Sequence, residues 1–453
     1  MSSSGVGGSG GSSVCGIGAG SLCWAERFGN GNVVPRSVAT DSVGNILLTG
    51  YFSGVVNFGA GLLTSAGGSD MFVAKFAPSG TVLWSKRFGG ADGQYGRGID
   101  VDPAGDIVVL CAFDSAIDFG GGLLISKGDL DVALVKLDAA GNFKWAKSFG
   151  GADLQQGEGL AVDGSGNIII DGLSWGTVNF GGAPLTSTGP KGSIVVAKLD
   201  PNGAHLWSHI FQNTANAAAP ELWRVAVDDQ NNTVFAGAFW GSIDFGAGPV
   251  VSAGQRDVFV VKIDPGGSLV WAKRFGDGLD QEGTQAVADA SGNVFITGNF
   301  NGSLNFGSGS MVSAGSGDIF LAKLDSAGNG LWSKRFGDAT SSNMGRAWQE
   351  IVADASGNAI ISGSLGGNAD FGGGFLAGGQ AGDANPYVAK FDANGTYTWA
   401  YTGSNGGANA QALGADPSGN VIVSGQLVSS LSFAGASLTP TGSSDIYVLK
   451  LSP

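Results

Sequence analysis

The chain is predicted to be all-β, a single seven-bladed β-propeller of four-stranded antiparallel blades, and three observations lead there. A phrase of about sixty residues recurs seven times along 453 residues, marked by Trp24, Trp84, Trp145, Trp207, Trp271, Trp332 and Trp399 at steps of 60 to 67. A repeat that fills the chain turns an expected two or three domains into one array. The turn Asp-x-x-Gly/Asn-Asn/Asp keeps the same beat, starting at Asp41, Asp102, Asp163, Asp228, Asp289, Asp354 and Asp416. The composition, with 82 Gly, 43% apolar and 13% charged residues, is that of turn-rich β structure with ample material for a core.

Residues 1–20, rich in Gly and Ser and without an apolar pattern, read as a flexible segment. A signal peptide would need a basic start and an apolar middle. The propeller is assigned to residues 21–453. Each repeat supplies four strands. In one copy strand A ends at the Asp turn (98–101), B follows it (107–113), C ends in a lysine (132–137) and D carries the tryptophan (143–149). Val, Ile and Phe fill these runs, and the turns DPAG, DAAG, DPNG, DPGG and DASG between them supply positive φ and side-chain-to-backbone bonds. The B-to-C and D-to-A connections are longer, differ from copy to copy and emerge on one face of the disc. That face is where binding residues usually sit.

The chain begins with a D-type run (22–28) and stops just after a C-type run (446–451). The N-terminal strand is therefore expected to complete the C-terminal blade, which closes the ring and leaves no open junction. Only seven blades balance the strand count.

A net charge of -14 and a pI near 4.4 argue against a nucleic acid partner and against acidic membrane surfaces, since both need clustered cations. No apolar stretch is long enough for a transmembrane helix, and a monomer is expected. Three cysteines exclude a disulfide framework, and no CxxC pair offers a zinc site. Cys15 and Cys23 can bridge in an oxidising compartment, a pairing that spacing alone leaves open, whereas Cys111 lies in the apolar run 107–113 and reads as a buried small hydrophobe.

The phrases DxFVAKxDxxGxxxWxKxFGG, seen at 70–90 and 318–337, and AVDxxGNxxxTGxF, seen at 287–300, resemble the bacterial β-propeller-repeat proteins of the SBBP type over residues 21–453. The resemblance implies a secreted or cell-surface propeller and brings no catalytic residues with it. Copies three, six and seven depart from the phrase; copy three has Ser193 in place of the strand C Asp and Phe211-Gln212 in place of Phe-Gly.

Periodic Trp, Asp and Lys residues, such as Trp271, Asp289 and Lys262, are expected to build interblade packing and turns. His205 and His209 lie on strand D of blade three, where four residues of rise hold them about 13 Å apart, too far to share one metal. Loop carboxylates (Asp92, Asp153 with Glu158, Asp277 with Asp280 and Glu282, Asp338) are candidates for Ca²⁺, but the DxDxDG pattern is absent and solvated charge is the simpler account. The informative residues break the repeat. Trp175, Trp223, Trp240 and Trp348 are not required by it, and the first three fall in blades three and four. Trp175 and Trp240 follow strand B where other copies have Ser53, Asp114, Asn301, Gly366 and Val428. The residue five before each turn Asp forms a mixed polar ring at the channel entry: Arg36, Arg97, Glu158, Trp223, Thr284, Gln349 and Gln411.

These features predict a non-catalytic extracellular or surface binding module for a glycan or protein ligand. Trp175, Trp223 and Trp240 would provide aromatic stacking, and Arg97, Glu158 and Gln285 polar closure. The alternative is a propeller lyase or hydrolase with Glu158 as base beside Arg97. A third reading is a purely structural surface protein, in which the non-repeat tryptophans would be buried.

Overall fold

The computed structural model describes residues 15–189, 191–214, 218–340, 349–379, 385–404 and 407–453. Seven four-stranded antiparallel sheets form the ring, each running A-B-C-D from the channel outward. Blade one comprises Asn32–Thr40, Ile46–Ser53, Asp70–Phe76 and Val82–Phe88. The seventh blade takes Ala412–Ala415, Val421–Leu427 and Asp445–Leu451 from the C-terminal end and its outer strand, Leu22–Phe28, from the N-terminal end, with Glu26 opposite Val448. Of the segment expected to be flexible, residues 1–14 lie outside the described residues. Residues 15–20 are tied down by a Cys15–Cys23 disulfide, by the Gly20 N–H donated to the Ser452 carbonyl, and by Ser452 Oγ donating to the Gly18 carbonyl.

Strands B and C are buried almost throughout because each blade is covered on both faces, with Tyr51, Ser53 and Gln426 partly open. The core is accordingly divided into interblade layers. One gathers Trp24, Phe28 and Ile446 of blade seven against Ile46, Phe72 and Phe76 of blade one, and another joins Phe211 of blade three to Phe235 and Phe259 of blade four.

The periodic polar residues hold these layers together. Each turn Asp accepts from backbone N–H groups of its own turn, as Asp41 does from Val43 and Asn45, and pairs with the strand C lysine of its blade. The seven Lys–Asp pairs, Lys75–Asp41 through Lys450–Asp416, lie at 2.6–3.0 Å. Lys75 also donates to the Ala139 carbonyl of the next blade, and Trp24 and Trp207 donate their indole N–H to the Pro78 and Pro265 carbonyls. A buried charge is tolerated when its partners are complete.

Two expectations are corrected. The B-to-C connection is not irregular: every blade inserts a short hairpin there, Val55–Asn57 with Leu62–Thr64 in blade one. Its turn is Asn/Asp-Phe-Gly in blades one to six and Ser432-Phe433-Ala434 in blade seven. Asn57 Oδ1 accepts the Gly59 N–H while Phe58 enters the core, and Asp118 with Phe119 and Asp244 with Phe245 repeat the arrangement. Strands of two or three residues are too short to show alternation, so varied flanking residues hid the pattern. Strand A is also longer than read, spanning Gln94–Val101 in blade two, because a β-bulge interrupts it.

Candidate functional site

That bulge builds the site. In each of the first five blades the register of strand A skips a residue: Arg36, Arg97, Glu158, Trp223 with Arg224, and Thr284. A bulge re-aims side chains, and here it presents two successive positions to the channel. The first is the polar ring read from the sequence. The second is Ser37, Gly98, Gly159, Arg224, Gln285, Glu350 and Ala412, small on blades one to three and long on blades four to six. Blade four thus crowds blade three closely. A Cβ added at Gly159 would lie 2.5 Å from the Val225 nitrogen and 2.8 Å from the Arg224 Cα.

Arg224 crosses the channel. Its Nη2 donates to the Arg36 carbonyl of blade one at 3.0 Å and pairs with Glu350 of blade six at 3.2 Å. Arg97 faces Glu158 at 3.7 Å. With Trp223 and Gln349, these residues line a cavity of about 30 Å³, room for two or so waters. Toward the variable face stand two tyrosines. Tyr51 and Tyr95 meet edge to face at 5.1 Å, with Arg36 over the first ring and Arg97 over the second at 5.7 and 6.0 Å, within the range of cation–π attraction.

The carboxyl groups here are perturbed. Burial raises Glu158 above its ordinary value, against the pull of Arg97 and Arg36, and raises Glu350 to about 7 against Arg224. Burial lowers the Arg36 guanidinium, helped by the charge of Arg97. Behind Glu158, Asp171 is 2% exposed and no side chain donates a hydrogen bond to its carboxyl group. Burial, then Glu158, push it to about 8. Blades one and five place Thr49 and Thr297 at this point, each donating its hydroxyl to a strand C carbonyl, Phe72 and Phe320.

The structure brings Arg97, Glu158 and Trp223 together at this mouth. Trp175 lies half-buried over Gly192, and Trp240 carries the Arg256 guanidinium 5.4 Å from its ring centroid. Arg256 also binds Glu221 and Asp280. Gln285 is buried, and its Oε1 accepts the Ile351 N–H at 2.5 Å. Trp348 and the side chain of Thr284 lie outside the described residues. The histidines go to separate partners, His205 to Ser208 Oγ and His209 to the Gly267 carbonyl. Of the loop carboxylates named for Ca²⁺, Asp277 accepts from Leu279 and Ser303 N–H groups and Asp280 from Arg256. No group of three or more His, Cys, Asp or Glu side chains suited to a metal ion is gathered among the described residues. Arg224, Glu350, Tyr51 and Tyr95 were not singled out in the sequence. Tyr51 carried a signal, since the same place in the other copies holds Ala112, Leu173, Ala238, Asn299, Ser364 and Gln426.

No family model matches the chain. An uncharacterised WD repeat-containing protein of Acanthamoeba polyphaga mimivirus is 25% identical over 357 residues, 61% of this chain, and the chain spans about a quarter of that relative's length. Among solved structures, a polysaccharide lyase, an ulvan lyase, aligns over 89% of this chain and 93% of its own at 11% identity and a TM-score of 0.48. Regucalcin, a calcium-binding protein from Agrobacterium tumefaciens, aligns over 74% and 83% at 11% identity and a TM-score of 0.34. The architecture itself is a seven-bladed β-propeller. No described helix is long and apolar enough to cross a membrane.

Proposed function

We propose that this propeller is a non-catalytic, exported binding module of the SBBP-repeat kind in bacteria, and that it takes a glycan on its variable face, over the channel mouth. The observation that carries this reading is the convergence of Arg36, Arg97, Arg224 and Trp223 at one small cavity, with Tyr51 and Tyr95 above it. Aromatic faces beside fixed polar groups suit a ring with hydroxyls. Trp175 and Trp240 extend the surface along blades three and four, and Gln285 acts by holding the inner strand of blade six. Glu158 is held by Arg97 and Glu350 by Arg224, which favours charge complementarity over proton transfer. The Cys15–Cys23 bridge supports an oxidising compartment.

A glycan array followed by titration tests the reading. Trp223→Ala is expected to weaken the best ligand at least tenfold, and the Trp175→Ala, Trp240→Ala double variant to weaken extended ligands while leaving short ones unchanged. Affinity that survives all three substitutions in folded protein would overturn it. Turnover on a polysaccharide panel, abolished by Glu158→Gln, would establish the lyase or hydrolase reading instead.

A further inference from the structure

We infer that blade three carries a subsite for a neutral sugar residue, stacked on Trp175 and held through two adjacent hydroxyls by the Asp153 carboxylate. The inference rests on the glycan reading above and names the class of sugar and the residue that selects it.

The first reason comes from two blades that place a tryptophan at the same point. Trp175 and Trp240 each follow strand B, and the residue before strand C lies beside each of them. In blade four that residue is Arg256, whose guanidinium stands over the Trp240 ring and is itself held by Glu221 and Asp280. In blade three it is Gly192, in the left-handed region at φ +83°, and a Cβ there would lie 2.7 Å from the Trp175 ring. The Trp175 indole therefore rests on backbone, half-buried, and no guanidinium competes for it. Trp207 of the same blade donates its indole N–H to the Pro265 carbonyl, whereas that of Trp175 has no partner among the described residues.

The second reason is an uncommitted carboxylate. Asp153, in the connection from blade two to blade three, is exposed and lies directly over Gly176, the residue after Trp175. A Cβ on Gly176 would stand 1.9 Å from its Oδ2. Among the described residues no hydrogen bond or ion pair engages it. An ionised carboxylate only accepts, and neighbouring hydroxyls on a sugar ring offer it two donors at once, in charge-assisted bonds. Aromatic face and carboxylate thus meet one ligand ring from two sides.

The surroundings set the class. Where other blades pair a strand C aspartate with arginine, blade three holds its loop with an amide: Gln212 Oε1 accepts the Thr188 N–H and the Ser193 hydroxyl. Its hairpin ends in Thr177 and Thr186, exposed and with their hydroxyls 2.9 Å apart, where blades two, four and five expose Ile125, Val251 and Val312. Lys191 on the same loop is exposed, where a charge contributes little. A uronate or sulfate ester would bring its charge against Asp153, a repulsive element that rejects it. Strands run A to D outward at about 5 Å apart, so a tetrasaccharide seated over the channel mouth reaches the end of strand B.

Calorimetry on the full chain tests this with cellotetraose, mannotetraose, galactotetraose and tetra-galacturonate. At least one neutral probe is expected to bind more tightly than tetra-galacturonate. Asp153→Asn should weaken that probe about tenfold, as loss of a charge-assisted hydrogen bond does, and narrow its margin over tetra-galacturonate, which loss of a merely structural contact would not do. Trp175→Ala should weaken it as well. Because Trp175 packs on the core, the exposed Asp153 variant keeps the test independent of folding. A neutral probe that binds Asp153→Asn as tightly as the wild type but is lost in Trp223→Ala overturns the subsite and leaves the glycan reading standing. Preferential binding of tetra-galacturonate overturns the neutral class. Absence of binding to all four probes and to the glycan array overturns both.

Discussion

Asp171 is a residue the repeat did not ask for. Where two other blades use a threonine hydroxyl to satisfy a strand C carbonyl, blade three buries a carboxyl that receives no side-chain hydrogen bond. Its pKa is raised to about 8 from 3.8 by burial and then by Glu158. The folded chain therefore holds a proton that the unfolded chain releases near pH 4. The stabilising contribution is full below that pH and is lost as pH rises through about 8. Unfolding free energy should fall across this window by up to about 1.4 kcal/mol per pH unit, with Glu350 adding to the slope up to about 7 and Asp100 up to about 6. Asp171→Thr is expected to flatten the slope between pH 7 and 8 and to raise stability at pH 8, measured by urea unfolding. A variant as steep as the wild type in that interval would show that Asp171 does not hold the proton. The same place in the other copies holds Thr49, Leu110, Ala236, Thr297, Ser362 and Ser424, a mixture in which an Asp looks harmless until burial is known.

At the scale of the strand, an ion pair between strands C and D recurs in most blades, with Arg87, Arg274, Arg335 and Arg27 reaching buried Asp70, Asp257, Asp318 and Asp445. Blade three lacks both partners, having Ser193 and Ile210, so nothing is stranded. Blade two keeps Asp131 but has Ser148 in the arginine's place, directly opposite Ala133 as Arg87 is opposite Phe72. Asp131 Oδ2 accepts the Lys127 N–H but has no arginine beside it, and burial raises its pKa. Ser148→Arg is expected to stabilise the protein by about 1 kcal/mol, the arginines being a third exposed in the other blades and the gain correspondingly screened. A thermal midpoint unchanged or lowered at pH 8 would refute this. Strand-scale reasoning also explains what the sequence hid at the site. Alternation with period two assigns one inward residue where a bulge presents two, so Arg97 and Glu158 were legible while Arg224, in the second place, was not. Gln285 stands at that same second position.

At the scale of the whole ring, closure was legible because strand types are countable: a D-type run at one end and a C-type run at the other leave one arrangement. The lateral position of Trp175 and Trp240 was not, because a loop residue's direction depends on packing that no spacing encodes; Trp240 lies under Arg256, whereas Trp223, on strand A, stands at the channel entry where its spacing placed it. The disulfide was open as well, and it sits where closure needs it, bracketing the start of the strand that completes blade seven. Replacing Cys15 and Cys23 with serine is expected to lower stability by about 2–3 kcal/mol, as for a short closed loop, read as a drop in urea midpoint that dithiothreitol reproduces on the wild type. An unaltered midpoint would mean that the Leu22–Phe28 strand pairing alone secures the seam. The guanidinium that spans the channel has a further consequence for the history of such chains. Repeat arrays change by gaining or losing whole units, but a side chain of fixed length joined to the opposite wall sets the ring's diameter. A chain with one blade more would leave Arg224 short of the Arg36 carbonyl, and one with a blade fewer would have no room for it. The loops of this propeller are free to diversify, while Arg224 is fitted to a ring of seven.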